Sequence, residues 1–338
     1  MKSLITKIFV VWLLVAVGGM YAQDVHFTQF FNAPMLINPG LTAMHNATSR
    51  VAVSYRNQWT TVPVPYTTFA GTIDKKIYPR YKDDHFIGVG ARVLYDYAGD
   101  AHLSILDINL LGNYAMILNP SNILSIGLGL NLDRRTFRDD ELRFPNQWNG
   151  DHYNPALSNR EPLAGFNFLY LDLGGGINYR FQKSNRTWVN LGGAAHHFIR
   201  PKQTFYDNGD NPRLPLRLAA TLMGSARLFD AVDMLLNGLW QQQNVYQEKV
   251  VSGLLRLYLN RQPGNQMAID LGAAWRVGDA WAPLFGLHYH NWYAGLSYDV
   301  NTSAFKVATG GRGGPEFHMQ YYFYRVEPLK EYKKCPVY

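Results

Sequence analysis

The chain has 338 residues and one cysteine, Cys335, which excludes an internal disulfide framework as the source of its stability. Hydrophobic residues make up 47% and charged residues only 17%, yet mean hydropathy is slightly negative, a combination foreign to ordinary soluble domains. The formal charge of +7 is scattered singly among aromatics with no Lys/Arg run, so nucleic acid is excluded as a partner.

Lys2 and Lys7 flank the start of an apolar run, Ile8 to Val17, and Gly18, Gly19 and Ala22 follow it, as in a secretory signal peptide cut after Ala22. The expected divisions are 1–22 signal peptide, 23–49 lead-in or plug, 50–326 outer-membrane barrel and 327–338 periplasmic tail. The lead-in is apolar but irregular, with Phe30, Phe31, Met35, Leu36 and Ile37 ahead of Asn38-Pro39-Gly40. Exposing those side chains to water is costly, which favours a place inside the lumen over one beneath it. Pro39 fixes φ, Gly40 accepts dihedrals that other residues do not, and the triplet predicts a tight reversal.

Beyond the lead-in no run reaches the ~20 apolar residues of a membrane-spanning helix. Alternation of period two dominates instead. In "ILSIGLGLNLD", Leu124, Ile126, Leu128, Leu130 and Leu132 share one face, and Ser125, Gly127, Gly129, Asn131 and Asp133 share the other. Segments of this kind fall at 50–57, 66–75, 86–96, 103–117, 123–133, 164–181, 187–199, 214–228, 232–240, 249–260, 266–277, 280–289, 292–300 and 316–325. Fourteen is an even number, and most segments meet the ~9–11 residues of a transmembrane strand. Arg92, Asp96, Asn131, Asp172, Asn178, Arg180, Asp270 and Arg276 are the expected inward polar residues.

The odd-numbered connections include the long stretches 58–65, 134–163, 200–213, 241–248 and 301–315, and most even-numbered ones are short. Outer-membrane barrels pair long surface loops with short periplasmic turns. Tyr95, Tyr97, Trp188, Trp240, Trp275, Trp281, Trp292, Tyr321 and Phe323 fall near strand ends or on apolar faces, as girdle residues do. These features predict an all-β fold: a transmembrane antiparallel β-barrel of about fourteen strands with an N-terminal segment folded into its lumen. Both termini are expected in the periplasm, and the tail carries Lys330, Lys333, Lys334 and Cys335.

No catalytic constellation stands out, so no enzyme, cofactor or metal is expected. His288 and His290 lie two apart and share a strand face, but no ligand partner accompanies them. His196 and His197 are adjacent and point to opposite faces. "DRRTFRDDELRF", from Asp133 to Phe144, reads as a solvated loop face. "TGGRGGPE" lacks the Lys-Ser/Thr of a phosphate-binding loop.

"QDVHFTQFFNAPMLINPGLTA" followed by "VAVSYRNQWTTVPVPYTTFAGTIDKK" resembles the N-terminal signature of the PorP/SprF family of Bacteroidetes outer-membrane proteins. The matching residues are His26, Phe27, Gln29, Phe30, Asn38, Pro39, Gly40, Tyr55, Arg56, Gln58, Trp59, Tyr66, Thr67 and Thr68. The resemblance implies an outer-membrane β-barrel of the type IX secretion system that supports export or surface attachment of proteins with a C-terminal sorting domain, including adhesins used in gliding motility. Implied partners are periplasmic and outer-membrane components of that system, the exported protein and outer-membrane lipid. A porin or substrate-specific transporter is the alternative. Asn38, Pro39, Gly40, Tyr55, Arg56, Gln58 and Trp59 are the candidate structural or partner residues: Arg56 and Gln58 share a face toward the plug, and Trp59 either joins the outer girdle or folds over the mouth.

Overall fold

The computed structural model describes residues 24–59, 62, 65–79, 84–99, 101–138, 142–161, 167–205, 212–262, 265–304 and 306–325. The expected signal peptide and the tail with Cys335 lie outside them. Fourteen antiparallel strands form one closed barrel. They are β1 (Ser49–Gln58), β2 (Tyr66–Ile77), β3 (His85–Ala98), β4 (Leu103–Asn119), β5 (Asn122–Thr136), β6 (Asn167–Gln182), β7 (Trp188–His196), β8 (Arg217–Phe229), β9 (Val232–Gln243), β10 (Tyr246–Asn260), β11 (Met267–Arg276), β12 (Ala280–Tyr289), β13 (Trp292–Asn301) and β14 (Arg312–Phe323). Each pairs with its chain neighbours, and β1 closes on β14 from Ser49 opposite Phe323 to Arg56 opposite Glu316. Closure leaves no edge strand.

The alternation reads in the opposite sense to that of a soluble protein. On β5, Ile126, Leu128, Leu130 and Leu132 point outward and are exposed, while Ser125, Gly127, Gly129, Asn131 and Asp133 are enclosed. A one-residue slip would turn every leucine into the polar interior, so the register is strongly specified. Exposed rings gather at two levels. Trp275 faces Trp281 across β11 and β12 near one end. At the other, the Trp292 ring lies 4.6 Å from Tyr321, which lies 4.6 Å from Phe323. Trp188 departs from the girdle: it packs against the interior cluster with the Arg180 guanidinium 4.8 Å over its ring. Among the described residues no helix is long and apolar enough to cross a membrane.

The connections at one end run through 137–166, 197–216 and 302–311, whereas 120–121, 230–231 and 290–291 close the other end tightly. The expected long connection at 241–248 is instead a tight hairpin, because β9 and β10 continue to Gln243 and Tyr246 and Asn244 takes a φ of 54° in the turn. The glutamines that resembled loop are lumenal: Gln241 and Gln243 are buried, and Gln241 donates to Glu248 at 3.0 Å. The charged run after Asp133 is likewise shared, since β5 continues to Thr136 before the loop begins.

The apolar core sits inside the ring. Phe27, Phe30, Leu36, Ile37 and Leu41 of the lead-in cluster with Phe86, Met223, Leu235 and Leu254 of the wall. Burying each large side chain of this group stabilises the docked segment by roughly 2 kcal/mol.

Candidate functional site: the plugged lumen and its vestibule

The lead-in folds as three single turns, a 3-10 turn at Phe30–Asn32, a short α-helix at Pro34–Ile37 and a second 3-10 turn at Pro39–Leu41. None is long enough to be stable alone. Their backbone groups are satisfied by the wall. Arg217 donates to Leu36 O at 3.2 Å, Arg92 to Met35 O at 3.2 Å, Asn113 to Thr42 O at 2.8 Å and Arg180 to Met44 O at 3.0 Å. The segment therefore runs down the lumen as a plug, from Asp24 at the long-connection end to Thr48, whose N–H bonds Phe323 O at the other. The sequence reading put both termini at one end. Phe323 does close β14 at the short-turn end, but Asp24 lies among the far ends of β7, β8 and β9.

Arg56 is the hub of a buried charge network. It donates to Asp299 at 2.6 Å and to His26 O, and lies 3.7 Å from Glu316. Glu316 accepts the backbone N–H groups of Thr28 at 2.8 Å and Gln29 at 2.7 Å. Thr28 Oγ1 donates to Asp299 at 2.8 Å, and Arg276 reaches Asp299 at 3.0 Å and Glu248 at 3.5 Å. Two guanidiniums and three carboxylates thus grip three residues of plug, His26, Thr28 and Gln29, an arrangement that holds because almost every charge has a close opposite.

Asn38, Pro39 and Gly40 form the expected tight turn, Leu41 N–H donating to Asn38 O at 3.0 Å, and they also seat the plug against the wall. Asn38, fully enclosed, accepts from Gly40 N at 2.7 Å and donates to Ile177 O of β6 at 2.9 Å. Gly40 does not adopt a positive φ. Its smallness matters because a Cβ there would stand 3.1 Å from Gly176 O. The wall reciprocates: a Cβ on Gly127 would lie 2.3 Å from the Pro39 carbonyl, and one on Gly176 2.1 Å from Asn38 Oδ1. Glycines on the inward face are the cast of the plug.

At the long-connection end the lumen opens into a vestibule of about 520 Å³, floored by Asp24, Val25 and His26. Asp24 accepts from His197 Nε2 at 2.6 Å and lies 3.3 Å from Arg217, and His197 Nδ1 bonds Asp172. Burial alone raises the Asp24 carboxyl, but His197 and Arg217 outweigh it and hold it well below the usual carboxylate range. Burial likewise opposes the His197 imidazolium, yet Asp24 and Asp172 raise it to about 9. The expectation that His196 and His197 point apart fails because β7 ends at His196 and His197 turns inward at a φ of 67°. His196 instead bonds Ile37 O at 2.9 Å. His288 pairs with Asp270 at 2.9 Å, while His290 sits in the next turn at a φ of 53°, so they share no strand face. No cluster of three or more metal-ligating residues occurs among the described residues.

Of the remaining sequence-predicted residues, Gln58 and Trp59 line the vestibule, with the Trp59 ring edge-on to Tyr66 at 5.2 Å. Tyr55 points outward, 39% exposed, away from plug and vestibule. The inward polar set is enclosed, from Asn178 at 0% to Asn131 at 8%, apart from a half-buried Asp96 at the vestibule. Glu316, Asp299, Glu248 and Asp24 escaped the sequence reading as plug-holding residues. Period two marks Glu316 with His318 and Gln320 as lumenal, but nothing local names its partners.

The sequence profile described as "Type IX secretion system membrane protein PorP/SprF" matches residues 19–312. No curated protein matches the chain. Among solved structures, the Ralstonia pickettii toluene transporter TbuX is similar with a TM-score of 0.52 at 10% identity, covering 91% of this chain and 97% of its own. A Pseudomonas aeruginosa FadL homologue gives 0.52 at 11% identity, covering 91% and 96%. At such identities the likeness shows the fold alone, an outer-membrane β-barrel. The chain belongs to the PorP/SprF family of type IX secretion system membrane proteins.

Proposed function

We propose that this protein is a non-enzymatic outer-membrane component of the type IX secretion system, acting as a shut barrel that supports export or surface attachment of proteins with a C-terminal sorting domain. Family membership supplies the system. The single observation that carries the mode of action is the plug, which occupies the lumen from Asp24 to Thr48 and bonds to wall residues on both sides. A barrel filled by its own chain suits docking better than conduction. In this reading the long connections face the exterior, where an exported protein, including a gliding adhesin, is held. The short turns and the tail after Phe323 face periplasmic components. Asp24 then lies toward the outside, contrary to a periplasmic N-terminus.

Deleting the gene is expected to remove a specific set of surface proteins while leaving the outer membrane otherwise intact. Undiminished surface display would refute the role. The vestibule gives a substrate-specific transporter its one specific support. Purified protein in planar bilayers separates the two: the docking role expects a closed baseline, and a stable conductance of the wild-type barrel favours transport.

A further inference from the structure

Closure joins β1 to β14, yet one strand overhangs its neighbour. β6 pairs with β5 from Asn167 to Phe181, but with β7 only from Gly174 to Gln182. Asn167 to Leu173 therefore lack a strand on one side, a longer overhang than those of β8 past β7 (Ala226–Phe229) and β10 past β11 (Tyr246–Lys249). The cause is the connection after β7. It turns away at His197 and Arg200, with φ of 67° and 50°, and its Pro201, Pro212 and Pro215 have no N–H for a ladder. Its limbs bond each other instead, Gln203 N–H to Pro212 O at 2.8 Å and Leu214 N–H to Pro201 O at 2.9 Å. Among the described residues it gives β6 one backbone bond, Phe198 N–H to Leu173 O at 3.0 Å. A Tyr170–Gln203 side-chain bond and the Phe205 ring, 4.9 Å from Phe168, complete the contact.

The alternation of β6 assigns the groups left over. Gln182 N–H bonds Ser121 O on the β5 side, Leu173 O faces the connection, and neither ladder of β6 shifts register. Even-numbered residues therefore bond β5, and odd-numbered ones face the gap. The N–H and C=O groups of Leu169 and Leu171 point into it with no partner among the described residues. The gap has two unlike faces. Outside, Leu169 and Leu171 are 63% and 54% exposed, and Phe198 is exposed beside them. Inside, Tyr170, His197 and Leu214 line the vestibule. Arg134 points outward opposite Leu169, and Leu132 opposite Leu171, so the gap crosses the boundary of the apolar band at the long-connection end. Unpaired backbone groups are costly at such a level. A row of alternating N–H and C=O groups is matched by another extended backbone, and by no lipid or small ion.

We infer that this edge of β6 takes up an extended segment of another polypeptide. The segment continues the barrel sheet, with apolar side chains turned outward beside Leu169 and Leu171 and small or polar ones turned toward the vestibule. The edge stands on the strand pairing alone. That the segment belongs to the exported protein rests on the docking role proposed above.

The full-length protein in detergent tests the edge with a short soluble peptide of alternating Leu and Thr, and with the same peptide N-methylated throughout. Fluorescence anisotropy reads binding, and hydrogen exchange followed by NMR reads single amides. In the free protein the amides of Leu169 and Leu171 are expected to exchange fast and those of Tyr170 and Asp172 slowly. The Leu/Thr peptide is expected to bind and to protect Leu169 and Leu171. Leu171→Pro removes an N–H that faces the gap and none that faces β5. This variant and N-methylation of the peptide are each expected to weaken binding at least tenfold. Heat-modifiable gel migration verifies that Leu171→Pro still closes its barrel, and if it does not, the N-methylated peptide decides. Absent binding, equal binding by the N-methylated peptide, or protection of Leu169 and Leu171 before peptide is added overturns the inference. Surface display lost on gene deletion but kept by Leu171→Pro would leave the secretion role standing and remove the edge from it. Peptide binding together with undiminished display after deletion would keep the edge and refute the role.

Discussion

The two walls of the lumen hold the plug by different physics. Along β3, β5, β6 and β7 the contact is chiefly one of shape, with single bonds from Arg92 and Arg180 to plug carbonyls: Gly88, Gly127, Gly176 and Gly192 let the plug approach so closely that a Cβ at any of them would stand within 2.7 Å of a plug atom. Along β10, β11, β13, β14 and β1 the contact is one of charge, through Glu248, Arg276, Asp299, Glu316 and Arg56. Close packing is short-ranged and indifferent to pH or salt, whereas a buried charge network depends on every member being present. The glycine wall therefore sets where the plug sits, and the charged wall sets how firmly its first residues stay.

Arg56→Ala is the strongest way to break the charged side. It leaves Glu316 and part of Asp299 without compensation inside the barrel, at a cost of about 4 kcal/mol to plug docking. Hydrogen exchange should show the amides of residues 27–32 losing protection while those of the β3–β7 strands keep theirs. An unchanged exchange pattern would remove Arg56 from the latch.

Gly127→Ala attacks the other side. Its Cβ cannot share space with the Pro39 carbonyl, so the turn at Pro39–Leu41 must shift, at about 2–3 kcal/mol. Protease cleavage within residues 38–48 should increase with the Arg56 latch intact. If the variant resists protease as the wild type does, shape complementarity is not what positions the plug.

Glu316→Gln is milder. The amide keeps one acceptor oxygen but presents an NH₂ where Thr28 or Gln29 donates, so about 2 kcal/mol is lost. Only the plug residues nearest Thr28 and Gln29 should loosen, and loss extending to Asn38 would merge the two walls into one cooperative unit.

The smallest expected effect is one of pH. His197 is raised from 6.5 to about 9 in the fold, so its stabilisation of the plug end is complete below pH 6.5 and fades as pH rises through 9. Asp24 is depressed, so its share is present above its usual titration and is lost only in strong acid. Protection of the amides near Asp24, corrected for intrinsic exchange chemistry, should fall between pH 7 and 9 while that of the glycine wall stays level. His197→Gln should abolish this dependence.

Much of the fold was legible because strand alternation is local. Each residue's side of the sheet follows from its neighbours two positions away, so all fourteen strands and the enclosure of Arg92, Asn131, Asp172 and Arg276 can be read along the chain. The candidate site was legible in part. Arg56 points at the plug as its strand face implies, and Trp59 leans into the mouth. Gly40 misled because a glycine after proline suggests unusual dihedrals, whereas the requirement comes from the barrel backbone beside it. The glutamines of β9 misled because polar residues facing a lumen resemble a loop.

By itself the sequence determined the class of molecule: apolar residues on alternate positions of strands long enough to span a bilayer permit little else. Only the tertiary structure decided who meets whom in the lumen. Thr28 and Glu316 are 288 residues apart, and Arg56 and Asp299 are 243 apart. Contacts of such separation arise from closing β1 on β14 around the plug, a global condition with no local signature. The direction of the plug, with Asp24 at the long-connection end, follows from the same closure.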